Sequence, residues 1–210
     1  MHHKQIAAAS GCDPRIGFFE DLAPRWDEVG QDPTSTVARL AELSNILQLE
    51  PGTELLEAGC GTGQISGWLA QQVAPGRLVA VDFAEAMLEQ ARSKVASAEF
   101  RRADVCGDDL GRECFDTVLC FHSFPHFRDQ AAAVRTFARA LRPGGRLIVM
   151  HLAGSREINS FHDHVGGAVH GDHLPSLEDW STLLSSSGLE QQQHIDQTDL
   201  YFFVAAKAIR

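Results

Sequence analysis

The stretch Thr53-Glu54-Leu55-Leu56-Glu57-Ala58-Gly59-Cys60-Gly61-Thr62-Gly63-Gln64 decides the fold. A short apolar run reaches an acidic residue and then breaks into three alternate glycines, the signature of a strand that turns tightly into a helix. Residues without Cβ leave backbone bare at the point where a ligand must lie against it. The dinucleotide fingerprint Gly-x-Gly-x-x-Gly would place its third glycine at position 64, which is Gln64 here. The spacing is Gly-x-Gly-x-Gly instead.

Outward from that turn, short apolar runs alternate with amphipathic stretches, as in a parallel α/β sheet. Strands are predicted at Glu54 to Ala58, Leu78 to Val81, Glu99 to Ala103, Phe115 to Phe121 and Arg146 to Met150. A helix is predicted around Gln64 to Val73, and a second begins near Ala84, where Ala84, Met87, Leu88, Ala91 and Val95 fall at helical spacing. A third carries Val134, Phe137, Ala138 and Leu141 on one stripe and stops at Pro143-Gly144-Gly145, where the chain turns back into the fifth strand. Two helices, Arg15 to Glu28 and Thr34 to Leu49, precede the sheet. A His- and Gly-rich segment follows it, then a helix near Ser176 to Ser186 and an antiparallel hairpin of Leu189 to His194 with Leu200 to Ala206. The expected architecture is one α/β domain over 1–210, a doubly wound seven-stranded sheet that is mostly parallel with an antiparallel last pair. It divides into an N-terminal helical cap (1–52), a core (53–150), a His-rich lid (151–175) and a closing helix with edge strands (176–210).

At 210 residues the chain can bury one full core. A formal charge of -10, with no basic cluster beyond the Arg101-Arg102 pair, argues against nucleic acid as partner and for a small-molecule substrate. The five cysteines, Cys12, Cys60, Cys106, Cys114 and Cys120, are odd in number and lack Cys-x-x-Cys spacing, so they read as reduced thiols of a cytoplasmic protein. No run approaches the roughly 20 apolar residues of a membrane span, and Met1 to Ser10 lacks the apolar core of an export signal. A monomer or homodimer is expected.

Over about Thr53 to Met150 the sequence resembles the class I S-adenosylmethionine-dependent methyltransferases, the broad group that includes the ubiquinone and menaquinone C-methyltransferases. The match rests on the glycine turn, Asp82 ending the second strand, Asp104-Val105 after the third, and the run Leu141-Arg-Pro-Gly-Gly-Arg-Leu-Ile-Val-Met150. The resemblance implies a Rossmann-like sheet and S-adenosylmethionine as cofactor. It also implies that Gly59, Cys60, Gly61, Thr62 and Gly63 pass under the cofactor's amino-acid part, with Glu57 just before them. Asp82 would hold the ribose hydroxyls, Phe83 and Met87 would lie nearby, and Asp104-Val105 would meet the adenine. Phe121 would border cofactor and substrate, and Trp26 belongs to a segment that folds over the cofactor in similar proteins. Charge agrees with this, since a carboxylate at Glu57 favours a sulfonium and an ammonium and repels a pyrophosphate. Asp82 has a plainer role open to it as the N-cap of the next helix.

Methyl transfer from a sulfonium is an in-line displacement in which positioning supplies most of the rate, so a base is optional. The candidates for one are His122 and His126, in Phe121-His122-Ser123-Phe124-Pro125-His126-Phe127 after the fourth strand. His126 has packing within its turn as the competing role. A second cluster, His151, His162, Asp163, His164, His170, Asp172 and His173, occupies the lid. Its imidazoles suit substrate contacts, a metal ion or plain solvation, and their spacing matches no known ligand pattern. The function expected is methyl transfer to a small molecule. Two alternatives stand beside it: a non-catalytic protein that binds S-adenosylmethionine, and a dinucleotide-dependent oxidoreductase.

Overall fold

The computed structural model describes residues 13–30 and 32–209, so Cys12 and the start at Met1 to Ser10 lie outside the described residues. The cap comprises α1 (Pro14–Leu22), a 3-10 turn (Ala23–Arg25), α2 (Trp26–Val29), α3 (Pro33–Glu42) and α4 (Ser44–Leu47). The core follows as β1 (Leu55–Ala58), α5 (Ser66–Val73), β2 (Leu78–Asp82), α6 (Glu85–Lys94), β3 (Glu99–Arg102), β4 (Phe115–Phe121), a 3-10 turn (Phe124–His126), α7 (Gln130–Ala140) and β5 (Leu141–His151). After it come α8 (Ser155–Val165), a 3-10 turn (Gly167–Val169), α9 (Leu177–Leu184), β6 (Leu189–Gln197) and β7 (Leu200–Lys207).

The sheet has seven strands in the order β3-β2-β1-β4-β5-β7-β6. β1 to β5 run parallel, and β7 lies antiparallel to both β5 and β6. The chain winds outward from β1 to β3, then crosses back to lay β4 on the other side of β1. Strand order therefore reverses between β1 and β4, and a crevice opens at their C-terminal ends.

Alternation along each strand supplies both faces of the sheet. Leu56, Val79, Val118 and Val149 join Val134, Phe137 and Trp180 of α7 and α9 on one face. Leu55, Leu78, Leu119 and Ile148 join Leu40, Leu69 and Val73 of α3 and α5 on the other. Near-complete burial on both sides is why these strands read as unbroken apolar runs. No helix among the described residues is long and apolar enough to cross a membrane.

The structure departs from the expected elements at four places. The first cap helix is broken because Pro24 has no N–H to donate into a continuing ladder, and a 3-10 turn takes its place. The second ends earlier than Leu49, with Gln48 in the left-handed region at φ 49°. α7 stops at Ala140, so Leu141 belongs to β5, and Pro143-Gly144-Gly145 is a bulge within that strand rather than the turn before it. Phe115 pairs with Leu141 and Thr117 with Arg146, so 142–145 loop out opposite Asp116. A Cβ on Gly145 would stand 3.0 Å from the Asp116 carbonyl oxygen, too close for any other residue there. The lid, finally, is largely the helix α8, whose apolar Ile158, Phe161 and Val165 recur at helical spacing among polar neighbours.

Trp180 anchors the C-terminal helix to the sheet. Fully buried, it stacks on Phe203 at 3.9 Å and 7°, and its Nε1 donates to the Tyr201 hydroxyl at 2.6 Å. Trp180→Ala should cost about 3–5 kcal/mol, read by urea unfolding. A loss under about 1 kcal/mol would show that α9 does not depend on this contact.

Candidate active site

The glycine turn sits at the mouth of the crevice. Gly59, Gly61 and Gly63 have φ of 75°, 54° and 75°, which L side chains rarely adopt. The three have different reasons to be glycine. A Cβ on Gly59 would stand 2.5 Å from the Cβ of Ser123, and one on Gly63 would stand 3.0 Å from the Cβ of Ala91. At Gly61 the nearest atom is Nε1 of Trp26 at 3.8 Å. Packing therefore demands the outer two, while the middle one borders open space.

Three adjoining hollows meet at this turn. The largest, about 690 Å³, is walled by the turn, by Phe121 and His122 at the end of β4, by the cap and by α8. Its volume falls within the roughly 300–1,000 Å³ of small-ligand sites. A second, about 50 Å³, lies against Asp82, Phe83 and Met87. The third, about 20 Å³, is bounded by Asp104 and Val105. Cys60 lines the large cavity, whereas Thr62 and Gly63 line none of the three. Thr62 serves the cap: its hydroxyl donates to Asp27 at 2.5 Å, and Asp27 also accepts from Gln64 and pairs with Lys94.

Two buried carboxylates face this space. Glu57, 2% exposed, accepts one hydrogen bond from the Ser66 hydroxyl at 2.6 Å. Burial pushes its pKa up to about 8, against the pull of Ser66 and with help from the negative charge of Asp82. Asp82 accepts from the backbone N–H of Gly61 and of Ala84, each at 2.9 Å, yet burial still raises it to about 6. Asp82 thus ties the glycine turn to the residue preceding α6 but does not cap that helix, whose first-turn amides of Glu85 and Ala86 are accepted by Glu20 instead. Among the described residues no Lys or Arg lines the large cavity.

Bare backbone at Gly61 beside two carboxyl groups held short of their ordinary acidity is what a cationic ligand requires. Sulfonium and ammonium groups would restore Glu57 to its charged form. A pyrophosphate would meet two carboxylates and find Gln64 where its third glycine should be. The described residues therefore fit S-adenosylmethionine and do not suit a dinucleotide.

Asp104 is already committed within the protein. It accepts from the backbone N–H of Cys106 at 2.8 Å and from Arg128 Nη2 at 2.7 Å. Although burial opposes it, these contacts hold its carboxyl below the usual range. Arg128 has no signal in the sequence, because its partner lies 24 residues away and the pairing depends on how the chain folds after β4.

The two candidate bases differ in their surroundings. His122 has a left-handed backbone, φ 54°, and its Nε2 accepts from the backbone N–H of Leu152 at 3.2 Å. Burial, with His126 nearby, lowers its pKa to about 4. Its ring proton is therefore on Nδ1, which leaves His122 a neutral ring with a donor to offer. His126 Nδ1 lies 2.8 Å from Asp172 Oδ2. Burial opposes ionisation of Asp172, but hydrogen bonds from His126 and Arg15 hold its carboxyl below the usual range. Since an ionised carboxylate only accepts, His126 carries its proton on Nδ1 and presents a bare Nε2 when neutral. Arg15 clamps Asp172 with Nε at 3.0 Å and Nη2 closer still. Arg15 and Asp172 are separated by 157 residues, and no local pattern links either of them to His126.

Only part of the histidine cluster reaches the cavity. His151 and His162 line it, whereas His164, His170 and His173 are exposed and do not. The ring of His164 turns back onto the Ser160 carbonyl oxygen, and His173 pairs with Asp163. Among the described residues no three His, Cys, Asp or Glu side chains are grouped to hold a metal ion. Of the cluster, α8 carries only His162, Asp163 and His164, and it places His162 in the cavity lining and His164 outside it. The four described cysteines are unpaired.

Residues 56–149 match the methyltransferase domain family. The chain is 26% identical to the ubiquinone/menaquinone biosynthesis C-methyltransferase UbiE of Geobacter sulfurreducens, over 86% of this chain and 82% of that protein. It is 33% identical to the nocamycin O-methyltransferase of Saccharothrix syringae, over 61% of this chain and 48% of the relative. Several curated relatives are matched over less than half their length, a plant phosphoethanolamine N-methyltransferase over 35%. A solved S-adenosylmethionine-dependent methyltransferase of Aquifex aeolicus shares the fold, with a TM-score of 0.64 at 18% identity, over 93% of this chain and 99% of that one. Residues 56–149 thus form a methyltransferase domain of the S-adenosylmethionine-dependent kind.

Because a cation favours ionised Glu57, cofactor affinity should rise with pH between 6 and about 7.5, by up to about tenfold per unit, while the ligand's own ammonium (pKa about 8) stays charged. Calorimetric titration of S-adenosylhomocysteine across that range checks it. Glu57→Gln should bind more weakly and lose the slope; a slope that survives the substitution assigns the titration elsewhere. The same shift has a stability consequence of opposite sense. Folded Glu57 keeps its proton longer than the unfolded chain does, so the free protein should lose stability as pH rises from 4.5 towards 8.

Proposed function

We propose that this protein transfers the methyl group of S-adenosylmethionine to a small molecule held in the 690 Å³ cavity. The observation that carries the reading is the pair of buried, cation-seeking carboxyl groups beside the bare backbone of Gly61, opening directly onto that cavity. The cofactor supplies a methyl group on a positively charged sulfur. The chain's own residues do the rest. Glu57 and the turn hold the amino-acid end, and Asp82 lies where the ribose would be met. The cap, pinned by Glu20 accepting from Glu85 and Ala86 at the start of α6, keeps water from the crevice.

His126 takes the proton of the acceptor on Nε2, with Asp172 fixing the ring and stabilising the charge it gains. His122 donates from Nδ1 and orients the acceptor's polar atom. An anionic acceptor is disfavoured by a wall whose described residues include Glu57 and Glu157 and no Lys or Arg. A purely cofactor-binding role would need no oriented imidazole, and the Asp172–His126 pair favours catalysis over it.

The test separates binding from chemistry. His126→Gln should lower turnover by about 10²-fold or more while S-adenosylhomocysteine affinity stays within about threefold. Asp172→Asn should follow it in the same direction, since an amide partner no longer enforces the tautomer. Turnover unchanged in both variants would remove the pair from catalysis, and wild-type protein that binds the cofactor but methylates nothing would favour the binding-only role.

A further inference from the structure

Five large apolar side chains stand out as exposed among the described residues, and three of them ring one opening. Val29 of α2 is 60% exposed, Phe161 of α8 is 58% and Val165 of α8 is 48%, and all three line the 690 Å³ cavity. Scattered exposed hydrophobes mean little, but apolar residues gathered at the rim of a cavity mark a surface that something apolar covers. The interior beyond the rim continues in kind, with Phe18, Leu22, Ile158 and Val169 in the wall.

The polar groups of the cavity are gathered at its other end. His151, 2% exposed, has neither ring nitrogen bonded within the protein, and Nδ1 of His162 is likewise without a partner. His162 lies ring to ring with His126 at 4.9 Å, and His151 with His122 at 4.8 Å. Buried polar atoms are paired in nearly all folded proteins, so orphaned ones beside a cavity point to a ligand that brings the partner. Burial lowers the pKa of His122, His151 and His162 alike, so this end is a ring of neutral donors and acceptors rather than a cationic site.

Resting on the methyl-transfer reading above, we propose that the acceptor is an uncharged, largely apolar molecule with a phenol-type hydroxyl. The hydroxyl sits among the histidines at His126, and the apolar body leaves the cavity between Val29 and the Phe161–Val165 edge of α8. Charge disfavours a phosphate or carboxylate acceptor, which would lie beside buried Glu57, with Glu157 at the wall and no Lys or Arg among the described lining residues. Acidity selects the hydroxyl. A phenol, near pKa 10, is acidic enough to give its proton to an imidazole as the oxygen is methylated, whereas an aliphatic alcohol is far too weak an acid. In the reaction the phenolic proton passes to His126 Nε2, the oxygen forms its bond to the methyl carbon, and the carbon–sulfur bond breaks with its electron pair going to sulfur. The products are an aryl methyl ether and S-adenosylhomocysteine, and His126 returns its proton to solvent.

The experiment uses the full chain saturated with S-adenosylhomocysteine and three probes: 4-heptylphenol, phenol and heptyl phosphate. Calorimetry should show 4-heptylphenol binding at least tenfold tighter than phenol, with heptyl phosphate bound at least tenfold more weakly than 4-heptylphenol. The double variant Phe161→Ser with Val165→Ser should bring 4-heptylphenol within about threefold of phenol while S-adenosylhomocysteine affinity stays within twofold. His151→Phe, which keeps the ring and loses its nitrogens, should weaken the phenols and leave the cofactor product unaffected. Equal binding of phenol and 4-heptylphenol, preference for the phosphate, or a tail preference that survives the rim substitutions would each overturn the inference while the methyl-transfer reading stands. Failure to bind S-adenosylhomocysteine at all would overturn both.

Discussion

The carboxyl group of Glu57 is the constraint round which the site is built. It lies one residue from the end of β1, is almost fully buried, and receives one hydrogen bond, from Ser66, where an ionised carboxylate needs several. Asp82, ending the neighbouring strand, adds a second negative charge close enough to raise it further. A chain selected only for stability would place an apolar residue at that strand end. Here the cost of desolvation is held in reserve until a cation arrives. Its location follows from topology, because strand order reverses beside β1 and a crevice opens at such a reversal.

The Asp172–His126 pair, proposed above to act in catalysis, depends on a different kind of constraint. His126, Asp172 and Arg15 come from the turn after β4, the segment after α8 and the first cap helix. None is useful alone. Asp172 without Arg15 would be a buried carboxylate sharing its charge with an imidazole alone, and His126 without Asp172 would have no preferred tautomer. Two histidines four residues apart thus receive opposite assignments from their environments, one kept neutral as a donor and the other left with a bare nitrogen. The cap helix that supplies Arg15 also supplies Phe18, Phe19 and Leu22 to the cavity wall, so assembly of the pair and shaping of the cavity are one structural event.

Where local pattern and structure differ, the causes are specific. Pro24 interrupts a stripe that otherwise reads as one helix, since loss of a single donor outweighs the periodicity on either side. The run Arg142-Pro143-Gly144-Gly145 has turn chemistry and is a turn, but the strand pairs on both sides of it and makes it a bulge. α8 was hidden because histidines, serine and aspartate dilute its apolar face, so the segment reads as a polar lid. The helix then separates residues that are adjacent in sequence, putting His162 into the cavity and His164 outside it.

The sequence by itself determined the glycine turn, the order of strands and helices in the core, and the acidic residues at the ends of the first two strands. These are local or periodic properties: positive φ, alternation at two residues, spacing at 3.6, a charge at a strand end. Tertiary structure alone decided which histidine has an acidic partner, which glycines are demanded by packing, that Asp104 is held by Arg128, and that the exposed apolar rim belongs to a cavity. Such pairings bring together residues from 24 to 157 positions apart, and their energies depend on burial and orientation, which no window of sequence contains.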